Sequence, residues 1–254
     1  MLLATWNVNS LRARAELVST WLETHQPDVL CLQETKVRDE DFPEGLFSDL
    51  GYQVAHWGVS SWNGVALVTR EPLIEQSLGF GGDAEEARFI TGEVHGIRVC
   101  SAYIPNGRAL DDPHYLYKLE WLDQLRTWLM EAMNAGPVVV AGDFNIAPVD
   151  EDVWDPSALA GATHVSEPER AALGRLLDLG LFDCGTALTT QEPRFTWWDY
   201  RQGAFRRGMG MRIDLVLASA SLREQFGSYR VDRETRAAPK PSDHAPVIVE
   251  FRID

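Results

Sequence analysis

The chain has 254 residues, 45% of them hydrophobic, enough to bury a sizeable core and better suited to one large α/β or β-rich domain than to two average ones. No apolar run reaches membrane-spanning length, Met1 to Trp6 has no basic leader, and the dispersed Cys31, Cys100 and Cys184 fit buried thiols of a reducing cytosol better than disulfides or a zinc site, so a cytoplasmic protein is expected. The net charge of −15 speaks against a nucleic-acid partner without excluding one, because distribution matters more than the sum.

Acid gathers in Asp39–Asp41, Asp83–Glu86 and Asp150–Asp152, read as solvated loops. Arginine gathers elsewhere, at Arg194, Arg201, Arg206, Arg207 and Arg212, as a local basic patch on an acidic body.

In chain order, Met1 to Val8 reads as a strand ending in polar residues. Leu11 to Thr24 reads as a helix with Leu11, Ala15, Val18 and Leu22 on one stripe and Asn9 or Ser10 as N-cap. Pro27 precedes a second strand, Asp28 to Thr35, whose apolar run ends in Gln33-Glu34. Tyr52–Trp57 and Gly64–Thr69 read as hairpin partners around Asn63-Gly64, and Arg88–Val94 with Ile97–Ile104 as another pair around His95-Gly96. Pro113 opens a helix through Asn134 with Leu116, Leu119, Leu122, Leu125, Leu129 and Met133 as its apolar stripe.

Gly136-Pro137 introduces the central stretch, three valines running into Gly142-Asp143-Phe144-Asn145. On extended backbone the spacing of two would point Asp143 and Asn145 the same way; an Asx-type turn is the plainer alternative. Asp150 to His164 reads as a long loop anchored by Trp154 and Pro156, and Glu167–Leu179 as a helix capped by Ser166. The aromatic segment Phe195–Tyr200 and an arginine-rich loop precede a strand, Met211–Ala218, with Asp214 in its middle. A last strand, Val247–Ile253, follows Ser242-Asp243-His244. The strand-then-polar-tip pattern at Trp6-Asn7 and again at Gly142–Asn145 suggests two similar halves.

Convergence of these tips would gather carboxylates, amides and one imidazole, with no thiolate and no glycine-rich nucleotide cradle. Oxygen donors favour Mg²⁺ or Mn²⁺ over zinc, and such a site suits metal-assisted phosphoester hydrolysis.

The segments Trp6–Arg14, Leu32–Lys36, Asn63–Ala66, Gly142–Pro148, Arg212–Asp214 and Ser242–Pro246 resemble, in order, the motifs of the exonuclease III family, abasic-site endonucleases of the endonuclease/exonuclease/phosphatase superfamily. The resemblance spans Leu2 to Phe251. It implies a four-layer α/β sandwich, with two mixed sheets face to face and helices outside, as a single catalytic domain over residues 1–254.

It also implies a monomeric enzyme acting on duplex DNA with abasic sites or 3′ ends, and no membrane. Residue by residue, it implies Glu34 as principal metal ligand with Asn7 beside it, and Asp243 near the metal or the leaving group. Asp143 is expected to orient or deprotonate water, and Asn145 to position groups on the phosphate. Asp214 is expected to hold His244, and Tyr103 to face the phosphate as donor or phenolate. Trp197 and Met211 are the candidate walls of a pocket for a flipped-out, base-less sugar. Asn106, Arg108, Arg206, Arg207 and the Arg12/Arg14 pair are candidate DNA contacts. A general nuclease or phosphatase of the same superfamily is the nearest rival; a catalytically silent DNA-binding copy would usually have lost one of Glu34, Asp143, Asn145, Asp214 or His244.

Overall fold

The computed structural model describes residues 1–81, 86–187 and 195–253. Asp83 to Glu85 of the second acidic run, and Arg194 of the arginine cluster, lie outside the described residues. In chain order the elements are β1 (Leu2–Asn7), α1 (Leu11–His25), β2 (Val29–Gln33), α2 (Gly45–Ser48), β3 (Gln53–Trp57), β4 (Val65–Thr69), β5 (Ile74–Leu78), β6 (Phe89–Val94), β7 (Ile97–Tyr103), α3 (Pro113–Ala135) and β8 (Val138–Asp143). There follow α4 (Glu167–Leu177), β9 (Leu181–Asp183), β10 (Trp197–Trp198), α5 (Ala204–Arg207), β11 (Gly210–Met211), β12 (Asp214–Ser219), β13 (Phe226–Val231), α6 (Arg233–Ala237) and β14 (Val247–Phe251).

Two six-stranded mixed sheets result, ordered β13-β14-β1-β2-β4-β3 and β5-β6-β7-β8-β12-β9. Each has a central parallel pair, β1/β2 and β7/β8, flanked by antiparallel neighbours. A parallel pair needs a crossover, and α1 and α3 supply it. The expected duplication is therefore topological. It matches β1 with β7 and β2 with β8, so the counterpart of Asn7 is Tyr103 rather than the Asp143 tip.

Period-two alternation explains the layers. Leu3, Val29, Cys31, Val99, Val139, Ala141 and Val216 point between the sheets and form one core. Their alternates face the helices: Ala4, Trp6 and Leu30 meet Leu11, Val18, Trp21 and Leu22 of α1, while Val138, Val140 and Leu215 meet Trp121, Leu122, Leu125 and Leu129 of α3. This is the expected four-layer sandwich. Nearer the strand ends the space between the sheets turns polar: buried Gln33 donates to Thr5 Oγ1 at 3.0 Å and Ser101 Oγ at 2.9 Å. One step further, the same inward parity brings Asn7, Tyr103, Asp143 and Asp214 to one rim. Gly142 is required there, because a Cβ would stand 1.9 Å from the Ala102 carbonyl oxygen on β7.

Several local expectations differ. The α1 start at Ser10 has no side-chain cap; Leu11 N donates instead to Thr35 O at 2.9 Å, and the Asn9 side chain is drawn into the site. Leu116 is 63% exposed, and its place on the stripe is taken by Tyr115, Lys118 and Trp121. Trp154 and Pro156 are exposed, and Val153 is what anchors that loop, through a bridge to Met211. Ser166 does cap α4, in a capping box with Glu169. All three cysteines are free and buried. Among the described residues no helix is long and apolar enough to cross a membrane.

Candidate active site

The strand-end residues converge on a cavity of about 170 Å³ lined by Glu34, Tyr103, Asn106, Asp143, Asn145, His164, Trp197, Met211, Ile213, Asp243 and His244. Asn7 lies just behind it and joins the halves, its Nδ2 donating to Glu34 Oε1 and Asp143 Oδ2 at 2.9 Å each. Its Oδ1 accepts from Asn9 N at 3.0 Å, which fixes the amide with nitrogen toward the carboxylates. The other oxygen of Glu34 lies 2.7 Å from Lys36 Nζ. Burial raises the Glu34 pKa, but the Lys36 ammonium and the Asn7 amide outweigh it and hold the carboxyl below its usual range.

Asp143 behaves oppositely. Complete burial pushes its carboxyl up to about 7; Asp214 and Glu34 add to the rise, and His244 and Asn7 oppose it. The strand ends at Asp143, and Asn145 adopts φ +52°, so extended geometry does not align the two. They meet through an Asx turn, Asn145 N donating to Asp143 Oδ1 at 2.9 Å. The turn reading therefore holds, and the turn itself places Asn145 beside Asp143 at the cavity.

His244 stands with Nδ1 2.9 Å from Asp214 Oδ2 and Nε2 3.8 Å from Asp143 Oδ2. Burial works against its charge, but Asp214 and Asp143 outweigh burial and raise the imidazole to about 10, so both ring nitrogens carry protons. Asp214 opens β12 rather than sitting in its middle; it is buried, and Thr196 Oγ1 accepts from its backbone N–H at 3.1 Å. The partner expected for a buried acid here is His244. Tyr103 packs under the Arg88 guanidinium, 4.7 Å from the ring centre, and burial with the nearby charges of Glu34 and Asp143 raises its hydroxyl well above the ordinary phenol value. Burial and these charges favour the neutral hydroxyl over the phenolate. Asp243 accepts from Asn9 Nδ2 at 3.0 Å and from Trp197 Nε1 at 3.1 Å.

A model of the endonuclease/exonuclease/phosphatase family matches residues 4–244. Exodeoxyribonuclease III of Haemophilus influenzae is 35% identical over 266 aligned positions, covering 98% of both chains. The chain belongs to this family. The exodeoxyribonuclease of Bacillus subtilis is 31% identical with 100% of each chain covered. Two solved structures superpose over 99% of both chains: a 3′ phosphatase of Neisseria, NExo, bound to product DNA hairpin, at TM-score 0.96 and 39% identity, and an AP endonuclease of Archaeoglobus fulgidus at 0.95 and 38%. The exonuclease III resemblance of the motifs and the sandwich fold both agree with these relatives.

Within this family frame the candidate substrate contacts divide. Of the two adjacent tryptophans, Trp198 is buried in an aromatic cluster, and Trp197 turns to the cavity opposite Met211. Asn106 reaches the cavity, its Nδ2 donating to Asn145 Oδ1 at 3.1 Å. Arg108, Arg206 and Arg207 are exposed and outside it, and Arg108 faces Asp112 at 3.9 Å.

The basic patch is smaller than expected. Arg212 is wholly buried, bidentate to Asp152 at 2.7 and 2.8 Å and 2.8 Å from Asp183, which also corrects Asp152 from solvated to buried. Arg14 braces Asn9 O and the Tyr200 hydroxyl, and Arg12 pairs with Asp41. Sequence reasoning passed over Asn9, Lys36, Lys118, His164 and Glu169. Lys118 was detectable, since it occupies a stripe position at helical spacing from Leu122 and Leu125. His164, in an irregular loop at φ +77°, carries no such signal.

Proposed function

We propose that this chain cuts duplex DNA on the 5′ side of abasic sites and trims and cleans 3′ ends, using Mg²⁺ or Mn²⁺, as a cytoplasmic monomer whose residues 1–254 act as one catalytic domain. Its membership makes it a hydrolytic nuclease of DNA repair. The observation that carries the finer reading is the convergence of Glu34, Asp143 and the Asp214–His244 pair on one cavity, with His244 Nε2 3.8 Å from Asp143 Oδ2, beneath a wall of Trp197 and Met211.

The donor set fits a hard cation. Glu34 Oε1 and Asp143 Oδ2 both accept from the Asn7 amide nitrogen, so Asn7 as placed orients the two carboxylates rather than offering an oxygen ligand. Glu34 and Asp143 would hold the cation through their remaining lone pairs. Asp143, Asp214 and His244 also place ligand atoms within 4.8 Å of one another, but Asp214 and His244 already satisfy each other, so Glu34 with Asn7 beside it and Asp143 is the better cradle, with Asp243 at its edge. The cation, when bound, neutralises phosphate charge. Asp143, poised near neutrality, takes the proton of the attacking water. His244, held charged by Asp214, donates from Nε2 to a phosphate oxygen as negative charge develops there. Tyr103 adds a neutral hydroxyl donor, and Asn145 with Asn106 positions the phosphate. Trp197 and Met211 enclose the base-less sugar, and Arg108, Arg206 and Arg207 reach the flanking backbone.

A second reading, action mainly on 3′ ends, is favoured by the small volume of the cavity, about 170 Å³. His164 stands in its wall, and an internal nucleotide must enter with chain on both sides while a 3′ terminus brings chain on one. The test compares three duplexes, with a central abasic-site analogue, a 3′ phosphate, or neither, in Mg²⁺ or chelator, with wild type and Asp143→Asn. A metal-dependent nick just 5′ of the lesion, absent in the variant, is expected. Release of phosphate without any nick selects the second reading, and equal degradation of all three points to a general nuclease.

A further inference from the structure

Directly behind the cavity lies a charge pair that no step above uses. Lys118 of α3 and Glu169 of the first turn of α4 form an ion pair with both side chains at 0% exposure. Every partner of this pair belongs to one of three segments that line the site. Lys118 Nζ donates to Asn145 O at 2.7 Å and points to Asn106 O at 3.4 Å. Glu169 Oε1 accepts from Thr163 Oγ1 at 2.8 Å and His164 N at 3.0 Å, and Oε2 from Ser166 N at 3.1 Å. The single Thr163 hydroxyl proton is shared between Glu169 Oε1 and Asn106 O, 3.1 Å away, which closes the ring, and His164 Nδ1 donates to Asn145 O at 2.6 Å.

The held backbone needs holding. Asn145 and His164 sit at φ +52° and +77°, a region that residues with a side chain rarely adopt. With Nδ1 committed to a carbonyl, His164 keeps the tautomer that leaves Nε2 an acceptor, 3.5 Å from Asn106 Nδ2. A buried ion pair is an inefficient way to gain stability, since an apolar pair of similar volume often serves as well or better. Here Lys118 holds carbonyls of Asn145 and Asn106, and Glu169 holds the Thr163 hydroxyl and the His164 N–H, in the segments that face the cavity.

We propose that Lys118 and Glu169 are positioning residues for phosphodiester cleavage: the pair locks the loops of Asn106, Asn145 and His164 into one rigid set of hydrogen-bonding groups around the scissile phosphate. This rests on the reading of the cavity as the catalytic site. Neither residue touches substrate, so the effect belongs in the turnover step, where small misplacements of reacting groups are amplified.

The informative variant is Lys118→Met combined with Glu169→Gln. It removes both charges and the Lys118 donors, yet glutamine keeps one acceptor oxygen for His164 N, while its NH2 turns to the Ser166 hydroxyl, so the half of the capping box that accepts from Ser166 N is given up. Neither carbonyl is orphaned, because Thr163 still serves Asn106 O and His164 still serves Asn145 O.

Wild type and variant are compared on the three duplexes above, and on one with a recessed 3′ end, by thermal melting and steady-state kinetics. The expected result is a Tm within about 3 °C of wild type, KM within about threefold and kcat lower by about 10- to 100-fold. Unchanged kcat at unchanged Tm overturns the proposal, as does a loss that tracks Tm alone. Should the double variant not fold, Thr163→Val, which keeps both charges, is to lower kcat about threefold or more with KM unmoved; no change there overturns it too. Cleavage of none of the duplexes by wild type removes the catalytic reading and this inference with it, whereas normal wild-type activity with an indifferent variant removes the inference alone.

Discussion

The two halves of the molecule use one plan to make opposite acids. In the first, β1 and β2 run parallel around α1 and end at Asn7 and Gln33, with Glu34 just beyond. In the second, β7 and β8 run parallel around α3 and end at Tyr103 and Asp143. Glu34 sits on a tip in left-handed backbone, with an ammonium 2.7 Å away, and is held ionised below the usual carboxylate range. Asp143 is sealed between the sheets among other acids, and burial lifts it to about 7. The strands do not account for this contrast; the neighbours do. In the proposed mechanism this contrast separates a charge holder, Glu34, from a proton acceptor, Asp143.

The largest effect that could break the comparison is at Asp143. Asp143→Asn keeps the volume and the turn but removes the proton acceptor, and kcat is expected to fall by about 10³-fold or more. The next concerns the imidazole. Asp214→Asn takes away the main charge that holds His244 protonated, leaving Asp143 and Asp243 alone to oppose burial. Protonated His244 is fully present below its unfolded value near 6.5, and in the wild-type protein it is lost only as pH rises through about 10. The alkaline limb of the kcat profile is therefore expected to move down from about 10, with a loss of about 10²-fold at pH 8. An unmoved limb would show that His244 is not the group that donates. Glu34→Gln is the milder change and acts on the other half: about tenfold more Mg²⁺ is expected for half-maximal rate, with kcat at saturating metal largely retained. If Glu34→Gln and Asp143→Asn lost the same activity at every metal concentration, the division of labour between the halves would be wrong.

How far the sequence reveals this arrangement depends on the kind of residue. The tips were legible because polar groups at the ends of apolar runs are conspicuous, as at Asn7, Glu34, Asp143 and His244. The central strands were legible for the same reason, being buried and β-branched. The edges were not. Strand β5 is exposed along its whole length, β9 has three residues, and β13 is half-exposed with a register shift, so none has the alternation that announces a strand. In the arginine-rich segment charge does not mean exposure, since Arg212 is buried between two aspartates. The ring of Lys118, Glu169, Thr163 and His164 was invisible as a unit, since its members come from two helices and a loop and meet only in three dimensions.

The smallest expected effect concerns how an acidic protein grips a polyanion. With a net charge of −15 and several arginines already paired, attraction to phosphates is limited, and aromatic surface is the natural complement. Trp62 is 72% exposed on the loop between β3 and β4, and that loop is fastened to the tip carrying Glu34: Thr35 N donates to Gly64 O at 3.2 Å and Lys36 N to Asn63 O at 2.9 Å. It shares a groove of about 440 Å³ with Arg108 and His114, and on the proposed function this ring and guanidinium are expected to meet the DNA flanking the cleavage point. Trp62→Ala is expected to weaken binding of duplex DNA about fivefold, the low end for stacking on an aromatic ring, and Trp62→Phe to recover most of it. Binding isotherms at several salt concentrations separate this from phosphate contact. Loss of stacking leaves the salt slope unchanged, whereas Arg108→Ala lowers it by about one. A Trp62→Ala protein that binds as wild type would assign the grip on DNA to the second half alone, to Trp197, Met211 and the arginines around them.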